Sequence, residues 1–116
     1  MTEPEFDTND ALLAFSALSQ QTRLDVFRLL ITAGVDGLAA GDISEQLDVR
    51  QNTLSTNLNI MVNAGLVSRT RQGRSIRYFA NFASLRGLLR YLMQDCCGGQ
   101  PTQCEPLIAE LACDAC

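Results

Sequence analysis

The stretch QNTLSTNLNIMVNAGL occupies residues 51–66 and contains two contrasting helical faces. Its apolar residues Leu54, Leu58, Met61 and Val62 recur at helical spacing, which predicts a helix over residues 51–64 with one buried stripe. The opposite face carries six side chains that are all uncharged and hydrogen-bonding, namely Gln51, Asn52, Ser55, Thr56, Asn59 and Asn63. Asparagine, serine and threonine are weak helix formers, but their amide and hydroxyl groups suit the reading of base edges. The pattern therefore favours a DNA-recognition helix over a plain solvated surface.

A hairpin is predicted directly after this helix. Gly65 ends the helix, and residues 66–71 and 75–80 alternate as two strands around a turn at Gln72-Gly73. This register places Arg71 and Arg74 opposite each other at the tip. Like charges in that position are destabilising unless an anion such as a phosphate lies between them.

The other predicted helices complete the element order of a known fold class. Apolar periodicity predicts helices over residues 11–18, from Leu24 to Ile31, over residues 42–47 and from Phe82 onward, with a turn at residues 37–41. The fold class is thus mainly α with a small β-hairpin, a winged helix-turn-helix in the order α-α-α-α-β-β-α. Residues 1–9 are expected to be a flexible segment, residues 10–95 the DNA-binding and dimerisation domain, and residues 96–116 a cysteine-rich tail.

Charge is segregated along the chain although its net value is −4. Residues 49–94 contain no acid and seven arginines, namely Arg50, Arg69, Arg71, Arg74, Arg77, Arg86 and Arg90. Residues 1–48 hold two arginines against nine acids, and residues 95–116 hold four acids and no cation. Phosphate binding requires a local basic surface. The distribution of charge therefore favours a nucleic-acid partner, although the chain as a whole is acidic.

The absence of three residue types excludes several kinds of catalytic and metal site. The chain has no His, Lys or Trp, which excludes Ser–His and Cys–His nucleophile pairs, imidazole metal ligands and lysine Schiff bases. No arginine follows Arg90, so no cysteine has the downstream arginine that a phosphatase-like arsenate reductase needs. We therefore expect a binding protein, not an enzyme. No apolar run is long enough for a membrane span and the acidic start is unlike a signal peptide, so a cytoplasmic location is expected.

Three motifs in the right order resemble the ArsR/SmtB family of metal-responsive repressors. Residues 17–30, ALSQQTRLDVFRLL, are similar to the family's opening helix motif, with Gln21 where proline is usual. Residues 51–58 with AGLV at 64–67 resemble its recognition helix, and RQGR at 71–74 with Tyr78 resembles its wing. Thr56-Asn57 stands where the family has two histidines, a departure that bears on base preference. The resemblance covers roughly residues 11–94.

The resemblance implies a homodimer on an inverted-repeat DNA operator. The dimer would form through the first and last helices, whose apolar surface is generous for so small a core. The expected interface residues are Leu12, Leu13, Phe15, Leu85, Leu88, Leu89 and Leu92. The expected DNA-binding residues are Arg50, Gln51, Asn52, Thr53, Ser55, Thr56, Asn59, Arg71, Arg74 and Arg77.

All five cysteines lie in the last 21 residues. The segment of residues 38–44 lacks the CVC motif that much of the family uses for arsenic. What remains is similar to a subgroup with a vicinal cysteine pair after the last helix and a third cysteine nearby, here Cys96, Cys97 and Cys104. Three thiolates suit soft, thiophilic As(III), the expected inducer, and Sb(III). Cys113 and Cys116 are possible additional ligands.

Other uses of these thiols remain open at this stage. A disulfide between the vicinal pair and Cys104 would make the protein a sensor of oxidants or sulfur species. Cd(II) or Pb(II) would also suit a thiolate site. The sequence leaves undecided whether one chain or two chains supply the ligands.

Overall fold

The computed structural model describes residues 6–94 and residue 106. Five α-helices and a three-stranded antiparallel sheet make up the described part. The helices are α1 (Thr8–Leu18), α2 (Gln21–Ala33), α3 (Ala40–Leu47), α4 (Gln51–Asn63) and α5 (Phe82–Met93). The strands are β1 (Leu38–Ala39), β2 (Val67–Gln72) and β3 (Ser75–Ala80), and a short 3₁₀ turn covers Gly34–Asp36. The winged helix-turn-helix expected from the sequence is confirmed.

Helix α1 begins earlier than the sequence pattern indicates. Its N-cap is Asp7, whose carboxylate accepts from the backbone N–H of Asp10, while the Asp10 carboxylate accepts from that of Asp7. This reciprocal capping box satisfies two backbone donors that the helix itself leaves unpaired. The helix predicted over residues 11–18 therefore started too late in the chain, because Thr8, Asn9 and Asp10 also belong to it.

The sheet contains a strand that the sequence analysis treated as a turn. Residues 38 and 39 form β1 and pair with Tyr78 and Arg77 of β3, giving the strand order β1-β3-β2. Gly37, which precedes β1, has φ 61°, and a Cβ there would lie 2.4 Å from the carbonyl oxygen of Tyr78. Only glycine allows the chain to approach β3 so closely.

The wing turn lies one residue further along than predicted. Gln72 pairs with Ser75 and Arg71 with Ile76, so the two turn residues are Gly73 and Arg74. Gly73 has φ 63°, which suits the first central position of a type II′ hairpin turn. The expectation that Arg71 and Arg74 face each other across the strands was wrong, because Arg74 is in the turn itself.

One apolar core joins all the helices to the sheet. Its fully buried side chains include Val26, Leu30, Ile43, Leu54, Leu58, Met61 and Leu66. Of the stripe predicted for α4, Leu54, Leu58 and Met61 are buried and Val62 is half-buried against the core. Burial of this stripe orients the helix and leaves its polar face outside.

Helices α1 and α5 leave large apolar side chains in solvent. The exposed fractions reach 61% for Leu12 and 55% for Leu92. The other exposed members of the expected interface are Leu13, Phe15 and Leu89, and Leu85 is half-buried. Leu88 was also expected in the dimer interface, but it is only 5% exposed and packs in the core of its own chain. No helix in the described part of the chain is long and apolar enough to cross a membrane.

The expected thiolate site lies outside the described residues. That applies to Cys96, Cys97 and Cys104 as well as to Cys113 and Cys116. Within residues 6–94, no group of three or more carboxylates or thiols is placed to hold a metal ion.

Candidate nucleic-acid interface

A three-residue turn sets the angle between α3 and α4. Asp48 adopts the left-handed conformation, with φ 52°, and ends α3. The N–H of Val49 donates to the carbonyl of Ser44 over 3.1 Å, and the Ser44 hydroxyl donates to the carbonyl of Val49. Ile43 and Leu54 are buried between the helices. Because both backbone and core hold this corner, α4 projects from the domain as one arm of a helix-turn-helix.

The exposed face of α4 contains every recognition residue that the sequence analysis assigned to it. Gln51, Asn52, Thr53, Ser55, Thr56 and Asn59 are all exposed. The Thr56 hydroxyl donates to the carbonyl of Asn52 over 3.1 Å, and the Asn52 side-chain oxygen accepts from the N–H of Thr53 over 2.9 Å. Arg50 precedes the helix in an extended conformation and is exposed beside its first turn. This face presents amides and hydroxyls with a cation at one end, and Ile60, 39% exposed, is its one apolar side chain in α4.

Asn57 does not belong to that face. It is 6% exposed, and its Oδ1 accepts from Nη1 of Arg23 over 2.9 Å. Its Nδ2 donates to the carbonyl of Thr53 over 3.0 Å, while Nε of Arg23 donates to the carbonyl of Ala17 over 2.6 Å. Arg23 therefore joins the end of α1 to α4 through Asn57. The departure from the family's histidine at this position concerns helix packing, not a base contact.

Strand alternation divides the wing arginines between two faces of the hairpin. Arg69 and Arg71 share the face of the buried Val67, since they follow it at intervals of two residues. Arg74 lies in the turn that follows these two residues, and all three arginines are exposed. The three arginines therefore extend from beside α4 to the tip of the wing, with no acid in residues 49–94 to neutralise them.

Arg77 differs from the other predicted wing contacts. It pairs with Thr70 on the opposite face of the hairpin and is half-buried. Its Nε donates to the carbonyl of Asp36 over 2.6 Å and its Nη2 to that of Gly37 over 3.4 Å. These bonds hold β3 to the segment before β1. They give Arg77 a structural role, and because a guanidinium has five N–H donors, the DNA contact stays a prediction.

Arg69 is a functional candidate that the sequence analysis left out of the site. Its Nη1 donates to Oδ1 of Asn59 over 2.9 Å, which connects the first strand of the wing to the recognition helix. The signal was present in the sequence as the two-residue spacing from Val67, a core position, through Arg69 to Arg71. Using it required the pairing of the strands, which only the structure provides.

Known proteins with similar sequences include DNA-binding regulators. Residues 18–70 match a family described as a helix-turn-helix domain. The transcriptional repressor SdpR of Bacillus subtilis is 33% identical over 79 residues, which are 68% of this chain and 84% of that protein. The "Putative arsenical resistance operon repressor ArsR" of Halobacterium salinarum is 36% identical over 63 residues, 54% of this chain and 48% of that protein. The chain thus spans about half the length of the second relative.

Solved structures share the fold. An ArsR-like transcriptional regulator from Rhodococcus sp. RHA1 superposes with a TM-score of 0.67 at 28% identity, covering 90% of this chain and 93% of that one. A homodimeric winged helix-turn-helix domain from Mycobacterium bovis gives a TM-score of 0.61 at 22% identity, covering 75% and 81%, and shows likeness of fold alone. The polar face of α4, the adjoining basic wing and these similarities lead to one conclusion: the chain belongs to the ArsR family of winged helix-turn-helix transcriptional repressors.

Proposed function

We propose that this repressor binds an inverted-repeat operator as a homodimer and releases it when As(III) binds three thiolates. The observation that supports DNA binding most strongly is the exposed amide and hydroxyl face of α4 between Arg50 and the wing. Gln51, Ser55 and Thr56 lie on the part of the helix that enters the major groove in helix-turn-helix proteins. Arg50, Arg71 and Arg74 would then neutralise phosphates on either side of the groove.

The dimer proposal is supported by the reversed amphipathicity of α1. Its small residues Ala11, Ala14 and Ala17 face the core of the chain, while the larger Leu12 and Phe15 point into solvent. A helix that buries alanines and exposes leucine and phenylalanine has no partner for its larger apolar surface within residues 6–94. Leu89 and Leu92 on α5 add to that surface, and the Mycobacterium bovis relative of similar fold is a homodimer. A two-fold pairing through α1 and α5 covers both sets.

The inducer proposal depends on the chemistry of the cysteines and on their distance from α5 along the chain. The described α5 ends at Met93, three residues before Cys96. Cys96, Cys97 and Cys104 together offer three soft sulfur ligands, which is the donor set that As(III) and Sb(III) prefer over oxygen. Similarity to an arsenical resistance operon repressor supports this choice of inducer.

The proposed coupling runs through the dimer interface. Ligand binding at the three thiols would act directly on the end of α5, and α5 carries Leu89 and Leu92 of the proposed interface. A small shift there changes the distance or tilt between the two α4 helices, and an operator with fixed half-site spacing then fits poorly. A hundredfold loss of DNA affinity needs a coupling free energy of about 2.7 kcal/mol, which is ordinary for allosteric proteins.

A footprint and titration on the DNA upstream of the gene for this chain tests the proposal. We expect protection of an inverted repeat with two chains bound per site, and release when arsenite is added to the complex. Parallel titrations with cadmium and with peroxide separate the three possible signals. Release by peroxide alone would replace metalloid sensing with thiol oxidation, and release by cadmium alone would replace arsenic with a divalent metal.

A further inference from the structure

We infer that Arg69 and Asn59 form a single composite hydrogen-bond donor, which binds an acceptor-only group of the operator where α4 meets the wing. The group is a phosphate oxygen or the O6/N7 edge of a guanine, and adenine is disfavoured at that position. This inference rests on the proposed operator binding. It adds Arg69 to the DNA-binding residues and assigns Asn59 the role of a hydrogen-bond donor toward the DNA.

The position of Asn59 places it on the DNA-facing side of α4. It lies one helical turn after Ser55 and two turns after Gln51, and all three residues are exposed. Arg69 comes from β2, where it shares a face with Arg71, and its Nη1 reaches Oδ1 of Asn59 over 2.9 Å. The pair therefore lies at the junction of recognition helix and wing.

The bond to Arg69 determines which group Asn59 offers to a ligand. A guanidinium has only donors, so it must face the carbonyl oxygen of the amide, and the Nδ2 amino group is left for an incoming partner. An unconstrained asparagine reads adenine by accepting from N6 and donating to N7. Oδ1 keeps a second lone pair, but the N6 amino group would have to approach it beside the positive charge of Arg69. A DNA group that only accepts hydrogen bonds avoids this unfavourable approach, and the remaining N–H groups of Arg69 strengthen its binding.

A simple brace between helix and wing is the competing explanation of the same contact, and Asn59→Asp separates the two. Aspartate keeps the oxygen that Arg69 contacts and turns the contact into an ion pair, so a brace would survive. The same change removes the outward Nδ2 donor. Asn63→Asp is the matched control, since it adds an equal charge to the exposed face one turn further along α4.

The experiment measures the dissociation constant of the full chain for the footprinted upstream DNA by fluorescence anisotropy. We expect Asn59→Asp to weaken binding at least tenfold more than Asn63→Asp, with unchanged urea-unfolding midpoints for both. Asn59→Ala and Arg69→Ala should each cost about tenfold, and the double variant little more than the stronger single one, because the pair acts as one unit. Equal effects of the two aspartates, or independent effects of the two alanines, would overturn the inference.

Salt dependence and base substitution identify the acceptor. For a phosphate, Arg69→Ala lowers the slope of log affinity against log salt by about 1 on every sequence. For a guanine, the slope stays closer to that of the wild type, and replacing guanine by adenine at one operator position lowers wild-type affinity but not that of Asn59→Ala. Either result supports the inference. Failure of the wild-type protein to bind the fragment would instead refute operator binding itself, and the inference with it.

Discussion

Replacing Asn57 by alanine removes the polar link between α4 and Arg23. The side chain is 6% exposed and takes part in two hydrogen bonds, one from the Arg23 guanidinium over 2.9 Å and one to the Thr53 carbonyl over 3.0 Å. A hydrogen bond that involves a charged group contributes about 1.5–3 kcal/mol, and a neutral one about 1 kcal/mol. The better helix propensity of alanine returns about 0.6 kcal/mol. We expect a net loss of about 2–3 kcal/mol in the free energy of unfolding.

Urea unfolding at one fixed protein concentration measures this loss, because the apparent stability of the proposed dimer would depend on concentration. Asn63→Ala serves as the control, since Asn63 is exposed at the end of the same helix and should change stability by less than about 0.5 kcal/mol. A double-mutant cycle with Arg23→Ala should give a coupling energy of about 1–2 kcal/mol. Equal midpoints for the Asn57 and Asn63 variants, or additive effects of Arg23 and Asn57, would refute the proposed link.

Three further changes address the wing, the interface and the sheet. Arg74→Ala should weaken binding to all DNA sequences and lower the salt slope by about 1, and loss of affinity for one sequence only would contradict its phosphate role. Leu89→Glu should convert the proposed dimer to monomers in sedimentation equilibrium, whereas Arg90→Glu, also exposed on α5, should not. A dimeric Leu89 variant would contradict the proposed interface. Gly37→Ala should lower the unfolding free energy by more than about 2 kcal/mol, because its Cβ would lie 2.4 Å from a carbonyl oxygen; a stability equal to that of the wild type would mean that β1 shifts freely.

The recognition helix was predictable because its apolar residues follow one strong period. Leu54, Leu58 and Met61 are buried as the spacing indicated, and Gly65 lies just past the end of the helix. Their period of 3.6 residues can be read from a single chain. The polar face follows automatically once the buried stripe is known, so most of the candidate DNA-binding residues were predictable as well.

The wing register was less predictable for a physical reason. Near the tip, polar residues such as Arg71, Gln72 and Ser75 occupy both faces of the hairpin, so no buried face distinguishes one register from the next. The positive φ of Gly73 decides the turn instead. Strand β1 escaped prediction because two residues are too few to show alternation.

Long-range polar contacts were beyond the reach of sequence patterns. Asn57 and Arg23 are 34 positions apart, and Arg77 and Asp36 are 41 apart, so nothing local distinguishes these residues from exposed ones. Their partners come together only when the helices and the sheet pack. For this reason Arg77 was predicted only as a DNA contact, and the burial of Asn57 against Arg23 was not predicted at all.

The most direct measurement is the dissociation constant of the protein for its upstream DNA with the cysteine thiols free and with arsenite bound. We expect affinity to fall about a hundredfold with arsenite for the wild type and for a Cys113→Ser, Cys116→Ser variant, and to stay nearly constant for Cys96→Ser. An unchanged dissociation constant for the arsenite-bound wild type would contradict the proposal that thiols beyond α5 control the affinity of the protein for DNA. So would undiminished release of the Cys96 variant.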